Sequence, residues 1–346
     1  MPNSSYSGPV KPTIKEFVEL PFTSDSGEFN VLAAGNGQIS YGYLPSSDIQ
    51  QKTRIESTGY SVSPWTVFGF NYIPMNYSNP TYGAVYHQLY FRQALQHLID
   101  QPAWIHTFLS GYGVPTYSSV PLAPANPFVD SYTKTNHHPS STATAKSLLD
   151  SHGWTLVNGV MTCTSPGTSP SECGSGIKKG TDLPGLALQY ATGVTSLGQE
   201  MEAFASAAKT IGIDINLTSA PFDTVISGAA SCSPTQPGCK WQMANWGGGW
   251  TYGPDFLPTG GEFYLPGGGA NPEGYADSEA TTLIDRTHTS TDATASLAAY
   301  QNFMANNLPV LYQPLAASQV SAISTSLSGV EQNPLGILFP EEWRIN

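Results

Sequence analysis

Apolar and polar residues alternate with helical spacing in residues 196–212, SLGQEMEAFASAAKTIG. The apolar side chains from Met201 to Ile211 fall on one face, which predicts an amphipathic helix. The apolar segments on either side, 183–192 and 213–222, have the length and composition of strands. Strand, helix and strand in this order predict a right-handed βαβ unit and an α/β fold.

The same patterns predict elements along the rest of the chain. Further helices are expected at 24–37, 90–100, 140–154, 278–288 and 292–307, and another from Asp100, its cap, to Gly111. Strands are expected at 13–22, 38–45, 63–74 and within 308–325, with an embellished hairpin at 155–185.

The low content of charged residues and the negative net charge exclude some classes of binding partner. Charged residues make up 11% of the chain and the net charge is −12, so no basic patch is available for nucleic acid or anionic lipid. No apolar run is long enough to predict a membrane-spanning helix. The abundant Gly, Pro and Tyr indicate a loop-rich extracellular protein, and the apolar periodicity of several segments argues against disorder.

The four cysteines form two local pairs, Cys163 with Cys173 and Cys232 with Cys239. Their spacing does not suit zinc, and two loop-closing disulfides are the better interpretation. Disulfides indicate an oxidising compartment, so we expect an exported protein whose N-terminal segment has been removed. Four free thiols in a cytosolic protein are the alternative.

Catalytic and metal-binding motifs are absent from the sequence. His137 and His138 lie in a polar segment without zinc-type spacing, and no G-x-S-x-G elbow, P-loop or spaced glycine set occurs. The carboxylates at 341–342 and at Asp277 and Glu279 are typical of a solvated tail and a helix cap. We therefore expect no catalytic residue, no metal site and no cofactor.

Residues 245–257, NWGGGWTYGPDFL, combine large rings with glycine. Rings on a glycine-rich backbone have few neighbouring side chains to pack against, so they are available to a ligand, a partner or the rest of the protein. An irregular buried turn is the other interpretation of this stretch.

The order of segments resembles the extracellular solute-binding proteins of family 5, the peptide- and nickel-binding group of ABC importers. YFRQALQHLIDQPAWIHTFLSGYGVPTYSSVP is similar to the family signature VRQALxxAIDRxxI…GxGxPAxxPxP. TAKSLLDSHGW is similar to KAKxLLxxAGW, FGFNY to YxxFN, and the last helices and strand (275–285 and 297–314) are also similar.

The resemblance implies an α/β fold of the periplasmic-binding-protein type II, with a mixed sheet and flanking helices. Residues 1–65 and 313–346 would belong to lobe I and 66–312 to lobe II. The leading part of lobe I would be missing, so the chain would carry only half of a binding site. In the family, the ligand lies between the lobes.

The same resemblance implies candidate ligand-binding residues in the aromatic stretch. Trp246 matches the family Trp of GW-x-x-D-Y and Trp250 its Tyr. Gly249 replaces the Asp that pairs with a peptide amine in the family, and Asp255 is a candidate substitute. The remaining candidates, each with core packing as the alternative, are Tyr43, Phe68, Phe70, Asn71, Tyr252, Tyr312 and Gln313.

We therefore expect the substrate-binding component of an ABC importer, an extracellular or periplasmic monomer that captures an oligopeptide or similar solute and delivers it to a membrane permease. A secreted glycan-binding module is one alternative, and a single β-sandwich would favour it. An exported hydrolase with its active site in the missing segment is another, and converging Ser, His and Asp side chains would favour that.

Overall fold

The computed structural model describes residues 7–8, 10–22, 24–44, 46–230, 239–253, 257–331 and 337–346. The chain divides into two compact units. Unit 1 comprises Met1–Phe68, Ser110–Val114 and Ala316–Asn346, and unit 2 comprises Gly69–Leu109 and Pro115–Leu315. These bounds differ by three residues from the expected lobe boundaries, and residues 110–114 belong to unit 1. The assignment of the units to family lobes stays a prediction.

The helices and strands follow in chain order. The α-helices are α1 (Asp25–Ala34), α2 (Lys52–Glu56), α3 (Gly83–Tyr86), α4 (Leu89–Gln96), α5 (Gln101–Thr107), α6 (Thr142–Ser151), α7 (Thr195–Thr210), α8 (Phe222–Ala230), α9 (Gly261–Tyr264), α10 (Ser278–Thr289) and α11 (Ala293–Asn307). The strands are β1 (Tyr41–Tyr43), β2 (Tyr60–Trp65), β3 (Gly69–Ile73), β4 (Gly113–Val114), β5 (Trp154–Val157), β6 (Val160–Cys163), β7 (Leu186–Ala191), β8 (Ile215–Ala220), β9 (Met243–Asn245), β10 (Trp250–Thr251), β11 (Leu311–Gln313), β12 (Leu315–Ala316), β13 (Gln319–Ser324), β14 (Leu327–Ser328) and β15 (Arg344–Ile345).

Unit 1 contains a three-stranded antiparallel sheet in the order β1–β13–β2, covered by α1 and α2. Its core includes Phe29 and Leu32 of α1, Ile55 of α2 and Val62 and Val320 of the sheet. Strands from both ends of the unit's sequence thus share one apolar core, because β13 pairs with β1 on one side and β2 on the other.

Unit 2 contains the predicted βαβ unit. Strands β7 and β8 are parallel and are joined by α7, and β9 pairs in parallel with the other edge of β7. A second sheet has the order β10–β3–β11, and all five residues of its central strand β3 are buried. The α/β class expected from the sequence is therefore confirmed.

The cap predicted at Asp100 is confirmed, and a serine caps the next long helix. Asp100 accepts a hydrogen bond from the backbone N–H of Ala103 at 3.2 Å and starts α5, with Pro102 in its first turn. Ser141 caps α6 in the same way through Thr144 N–H at 3.1 Å. A side-chain acceptor at this position satisfies an N–H group that has no partner within the helix.

Two strand predictions are wrong. Residues 13–22 pair with no strand among the described residues, and Phe17, Val18, Leu20 and Phe22 are exposed. Alternation alone does not make a strand, since a strand also needs a hydrogen-bonding neighbour. The segment 63–74 is divided between β2 and β3 because the chain leaves one unit and enters the other at Phe68 and Gly69.

The hairpin β5–β6 lies where the embellished hairpin was expected, and its last residue forms the disulfide Cys163–Cys173. Cys239 is also disulfide-bonded, while its predicted partner Cys232 lies outside the described residues. No helix of the described chain is both long and apolar enough to cross a membrane.

We expect the double variant Cys163→Ser/Cys173→Ser to lose about 2–3 kcal/mol of unfolding free energy, because the unfolded loop regains its conformational freedom. Chemical denaturation of the intact and double-variant proteins measures this loss. Thr168→Ala, an exposed change inside the same loop, is the control and should stay within about 0.5 kcal/mol. A double variant as stable as the parent would contradict the prediction.

Candidate functional site

Unit 2 contains a pocket of about 850 Å³ beside the glycine–aromatic stretch. Its lining consists of most of residues 246–250, all of residues 266–276 except Glu273, the edge of α8, and Tyr72 of β3. We call residues 246–250 the tryptophan loop and residues 266–276 the glycine–proline loop. A volume of this size is typical of small-molecule sites, which span roughly 300–1,000 Å³.

The tryptophan loop lies flat against β3 because glycines allow it to. Strand β10 pairs antiparallel with β3, so that Trp250 lies opposite Phe70 and Thr251 opposite Gly69. Gly249 has a φ of +61°, and a Cβ there would collide with the carbonyl oxygen of Phe70. An aspartate therefore does not fit at position 249 in this conformation.

Both indoles are half-buried and are held edge-on by neighbouring rings. The Trp246 ring centroid lies 5.3 Å from that of Tyr72 at an interplanar angle of 84°. The Trp250 ring lies 5.0 Å from Phe263 at 73°, and Phe263 lies 4.8 Å from Tyr72. Edge-to-face packing fixes the orientation of an aromatic ring. The two indoles therefore present ring surfaces of fixed orientation to the pocket.

The structure thus brings Trp246, Gly249 and Trp250 together at one pocket. Phe70 and Tyr312 lie in the buried ring cluster beneath it, at a centroid distance of 6.1 Å. Their role in ligand binding stays a prediction, and as placed they support the residues that line the pocket.

Three polar candidates are also buried in unit 2. Asn71 donates its side-chain N–H to the carbonyl oxygen of Pro314 at 2.9 Å, and the Tyr252 hydroxyl donates to that of Ser119 at 2.8 Å. The amide atoms of Gln313 are buried and have no hydrogen-bond partner among the described residues. None of the three lines the pocket.

The last three candidates lie elsewhere. Phe68 is buried in unit 1. Tyr43 is exposed on β1 of the same unit, where it lines a separate hollow of about 770 Å³ and packs edge-on against Tyr41 at 5.5 Å. Asp255 lies outside the described residues.

Sequence reasoning missed the other two segments that line the pocket. Helix α8 follows β8 directly, and its Phe222, Ile226 and Ala230 line the pocket at a spacing of four residues. The four-residue spacing is a helix signal in the sequence. The strand predicted at 213–222 overlaps it, because Phe222 is the first residue of α8.

The glycine–proline loop is fixed by Asn271. Its side-chain amide donates to the carbonyl oxygens of Leu265 and Tyr275, at 3.0 and 2.8 Å, and its oxygen accepts from the Tyr275 N–H at 2.9 Å. The only amide side chain in the described lining is therefore occupied inside the loop.

One carboxyl group is buried in this loop without lining the pocket. Glu273 is 0% exposed, between the lining residues Pro272 and Gly274, and neither of its carboxyl oxygens has a hydrogen-bond partner among the described residues. Burial raises its pKa to about 8, so the group is protonated at neutral pH. Burial also raises the pKa of Tyr72, with a smaller contribution from Glu273.

The described residues contain no cluster of three His, Cys, Asp or Glu side chains that could hold a metal ion. The two neighbouring histidines are hydrogen-bonded to the backbone. His137 Nε2 lies 2.9 Å from the carbonyl oxygen of Tyr132, and His138 Nε2 lies 3.2 Å from that of Ala305.

Comparison with known proteins identifies the family. The family model for bacterial extracellular solute-binding proteins, family 5 Middle, matches residues 2–265. The chain belongs to this family. A search of curated proteins finds no significant match.

Solved structures support the fold at low sequence identity. The oligopeptide-binding protein AppA from Bacillus subtilis, in complex with a nonapeptide, is 17% identical with a TM-score of 0.64, and the alignment covers 92% of this chain and 58% of AppA. NikA from Staphylococcus aureus, in complex with Ni(L-His)2, is 17% identical with a TM-score of 0.62, covering 93% and 61%. The murein tripeptide binding protein MppA of Escherichia coli is 17% identical with a TM-score of 0.62, covering 92% and 56%.

These likenesses confirm the type II binding-protein fold expected from the sequence. The chain spans less than two thirds of the length of each of these relatives. This fold is not a single β-sandwich. The topology that would favour a glycan-binding module is therefore not the one observed.

We expect Gly249→Ala to lower the free energy of unfolding by about 1–3 kcal/mol, because a Cβ at a left-handed φ would meet the Phe70 carbonyl. Gly248→Ala is the matched control, since no atom lies within 4 Å of a Cβ there. Chemical denaturation of both variants measures the difference, and equal stabilities would show that the loop does not adopt this conformation.

We expect Glu273→Gln to reduce the pH dependence of stability. The carboxyl ionises near pH 4.5 in the unfolded chain but only at about pH 8 when folded, so the unfolded state binds fewer protons between these values. The unfolding free energy should therefore fall as pH rises through this interval, by at most about 1.4 kcal/mol per pH unit for this group. Denaturation at pH 5, 6.5 and 8 measures the slope.

Glu200 provides an independent comparison for this measurement. It is buried in α7, does not line the pocket, and burial likewise raises its pKa to about 8. Glu200→Gln should reduce the slope by a similar amount, and the two effects should add. If neither substitution changed the slope, both carboxyl groups would be ionised and hydrated in the folded protein.

Proposed function

We propose that this chain is the solute-binding component of an ABC importer, and that the indoles of Trp246 and Trp250 form one wall of its ligand site. The observation that supports this most directly is the pair of half-buried, ring-anchored indoles on an open pocket of about 850 Å³ in a family 5 chain. Such a site captures a solute and performs no chemistry on it.

The proposed ligand is an oligopeptide or a similar small organic solute. Two of the similar structures are a complex of AppA with a nonapeptide and the murein tripeptide binding protein MppA. Rings offer such a ligand a large contact area at little cost in conformational entropy, because they are already fixed by their neighbours.

The proposed partner is a membrane permease, and the proposed location is outside the cytoplasmic membrane, as the family's name describes for its members. A ligand-dependent difference between two conformations would be enough to signal loading to such a partner. A second lobe that closes over the tryptophans is expected from the family resemblance and stays a prediction.

We expect Trp246→Ala and Trp250→Ala each to weaken the binding of a ligand peptide by about tenfold or more, because each truncation removes one face of the pocket. The ligand is first identified by screening short peptides for stabilisation of the parent protein, since a ligand that binds only the folded state raises its melting temperature. Isothermal titration calorimetry then compares the variants.

Tyr132→Ala is the control for this measurement. Tyr132 is a half-buried ring of the same unit that stacks on His137 and does not line the pocket. The affinity of Tyr132→Ala for the ligand peptide should stay within about twofold of that of the parent protein. Unchanged affinity in both tryptophan variants would move the site away from the tryptophan loop.

A further inference from the structure

We propose that the pocket selects an uncharged apolar side chain of its ligand, and that Phe222, Ile226 and Ala230 of α8 provide the selectivity. The inference rests on the proposed function, because it names the part of a peptide that this pocket receives. It depends on three observations: the apolar edge of α8, the absence of charge in the described lining, and the occupied polar groups.

The apolar edge of α8 is wider than packing requires. Val225 and Ala229 are buried against the rest of unit 2 and account for the attachment of the helix. Phe222, Ile226 and Ala230 form a second stripe beside them that lines the pocket, and Phe222 is 46% exposed. A surface helix needs only one apolar stripe towards its own core, so the second is available to a ligand.

The opposite side of the pocket is also uncharged. It consists of the two indoles, Tyr72 and the glycine–proline loop, and no described lining residue carries a charged side chain. Position 249 has no room for a side chain, and the carboxyl of Glu273 is buried behind the loop and protonated at neutral pH. A lysine or glutamate side chain entering this space would lose hydration without gaining a partner of opposite charge.

Two polar side chains of the lining, Asn271 and Tyr275, are already hydrogen-bonded, which leaves the two indole N–H groups and the Tyr72 hydroxyl as side-chain groups for a sugar. All three hydrogen bonds of the Asn271 amide remain within the glycine–proline loop. The Tyr275 hydroxyl accepts a hydrogen bond from the Asn307 amide at 2.6 Å. A sugar ring could stack on an indole, but its hydroxyls would find few side-chain partners, whereas an apolar side chain needs none.

Capped amino acids test this selectivity directly. The probes are N-acetyl-phenylalaninamide, N-acetyl-leucinamide, N-acetyl-lysinamide and maltotriose, each titrated into the 15N-labelled chain while the indole N–H signals are followed. Trp246→Phe and Trp250→Phe assign the two signals. We expect saturable shifts of both signals with the phenylalanine and leucine probes, and affinity at least about tenfold weaker for lysine and maltotriose.

A charge placed on the α8 stripe provides the decisive comparison. Ile226→Lys should weaken the binding of N-acetyl-phenylalaninamide by about tenfold or more, because it places an unpaired ammonium in the pocket. Thr224→Lys is the matched control, since it adds the same charge to an exposed position of the same helix that does not line the pocket. If Ile226→Lys does not fold, Phe222→Lys replaces it, because that side chain is already exposed.

Each outcome separates the inference from the proposed function. Equal affinity for the lysine and phenylalanine probes, tighter binding of maltotriose, no binding of any probe, or equal losses in the two lysine variants would overturn the inference. Peptides that bind the parent protein and lose affinity in Trp246→Ala, yet bind regardless of their apolar residues, would overturn the inference and leave the proposed function standing. Apolar probes that bind as expected while no peptide binds would support the inference and overturn a peptide ligand.

Discussion

The close approach of the main chain at Gly249 to the carbonyl oxygen of Phe70 determines most of what the candidate site can do. No residue with a Cβ fits there without a shift of backbone. Because the chain passes so near to β3, Trp250 pairs with Phe70 in the sheet and its indole meets Phe263 at 5.0 Å. The same contact leaves no room for a carboxylate, so one steric constraint fixes both the position of the rings and the electrostatic character of the pocket.

The neutrality of the pocket is reinforced by lining groups whose hydrogen bonds are made within the protein. Asn271 ties the glycine–proline loop to itself, and Tyr275 accepts from Asn307. Glu273 is held where its protonated form is favoured, which costs stability at higher pH but keeps a charge away from the rings. The result is a largely aromatic and apolar surface with no charged side chain among the described lining residues.

Local patterns in the sequence predict the elements whose formation depends on neighbouring residues. Asp100 caps the helix that its position predicts, and α7 lies between two parallel strands as its periodicity indicates. The prediction of a strand at 13–22 is wrong because the alternation of apolar and polar residues carries no information about a pairing neighbour. Helix α8 was missed because its second apolar stripe has meaning only once the pocket beside it is known. Among the site candidates, the pattern could not separate Trp246 and Trp250, which line the pocket, from Phe70 and Tyr312, which lie beneath it.

The extended segment 13–22 also affects how the protein behaves in concentrated solution. Phe17, Val18, Leu20 and Phe22 present apolar surface on a backbone that pairs with no strand in the part of the chain that the structure describes. Such a stretch is a template for intermolecular β-pairing and aggregation. Glu16, Glu19 and Pro21 interrupt it with two negative charges and a missing donor. They act as gatekeepers, because stacked copies of the segment would bring like charges together at every layer.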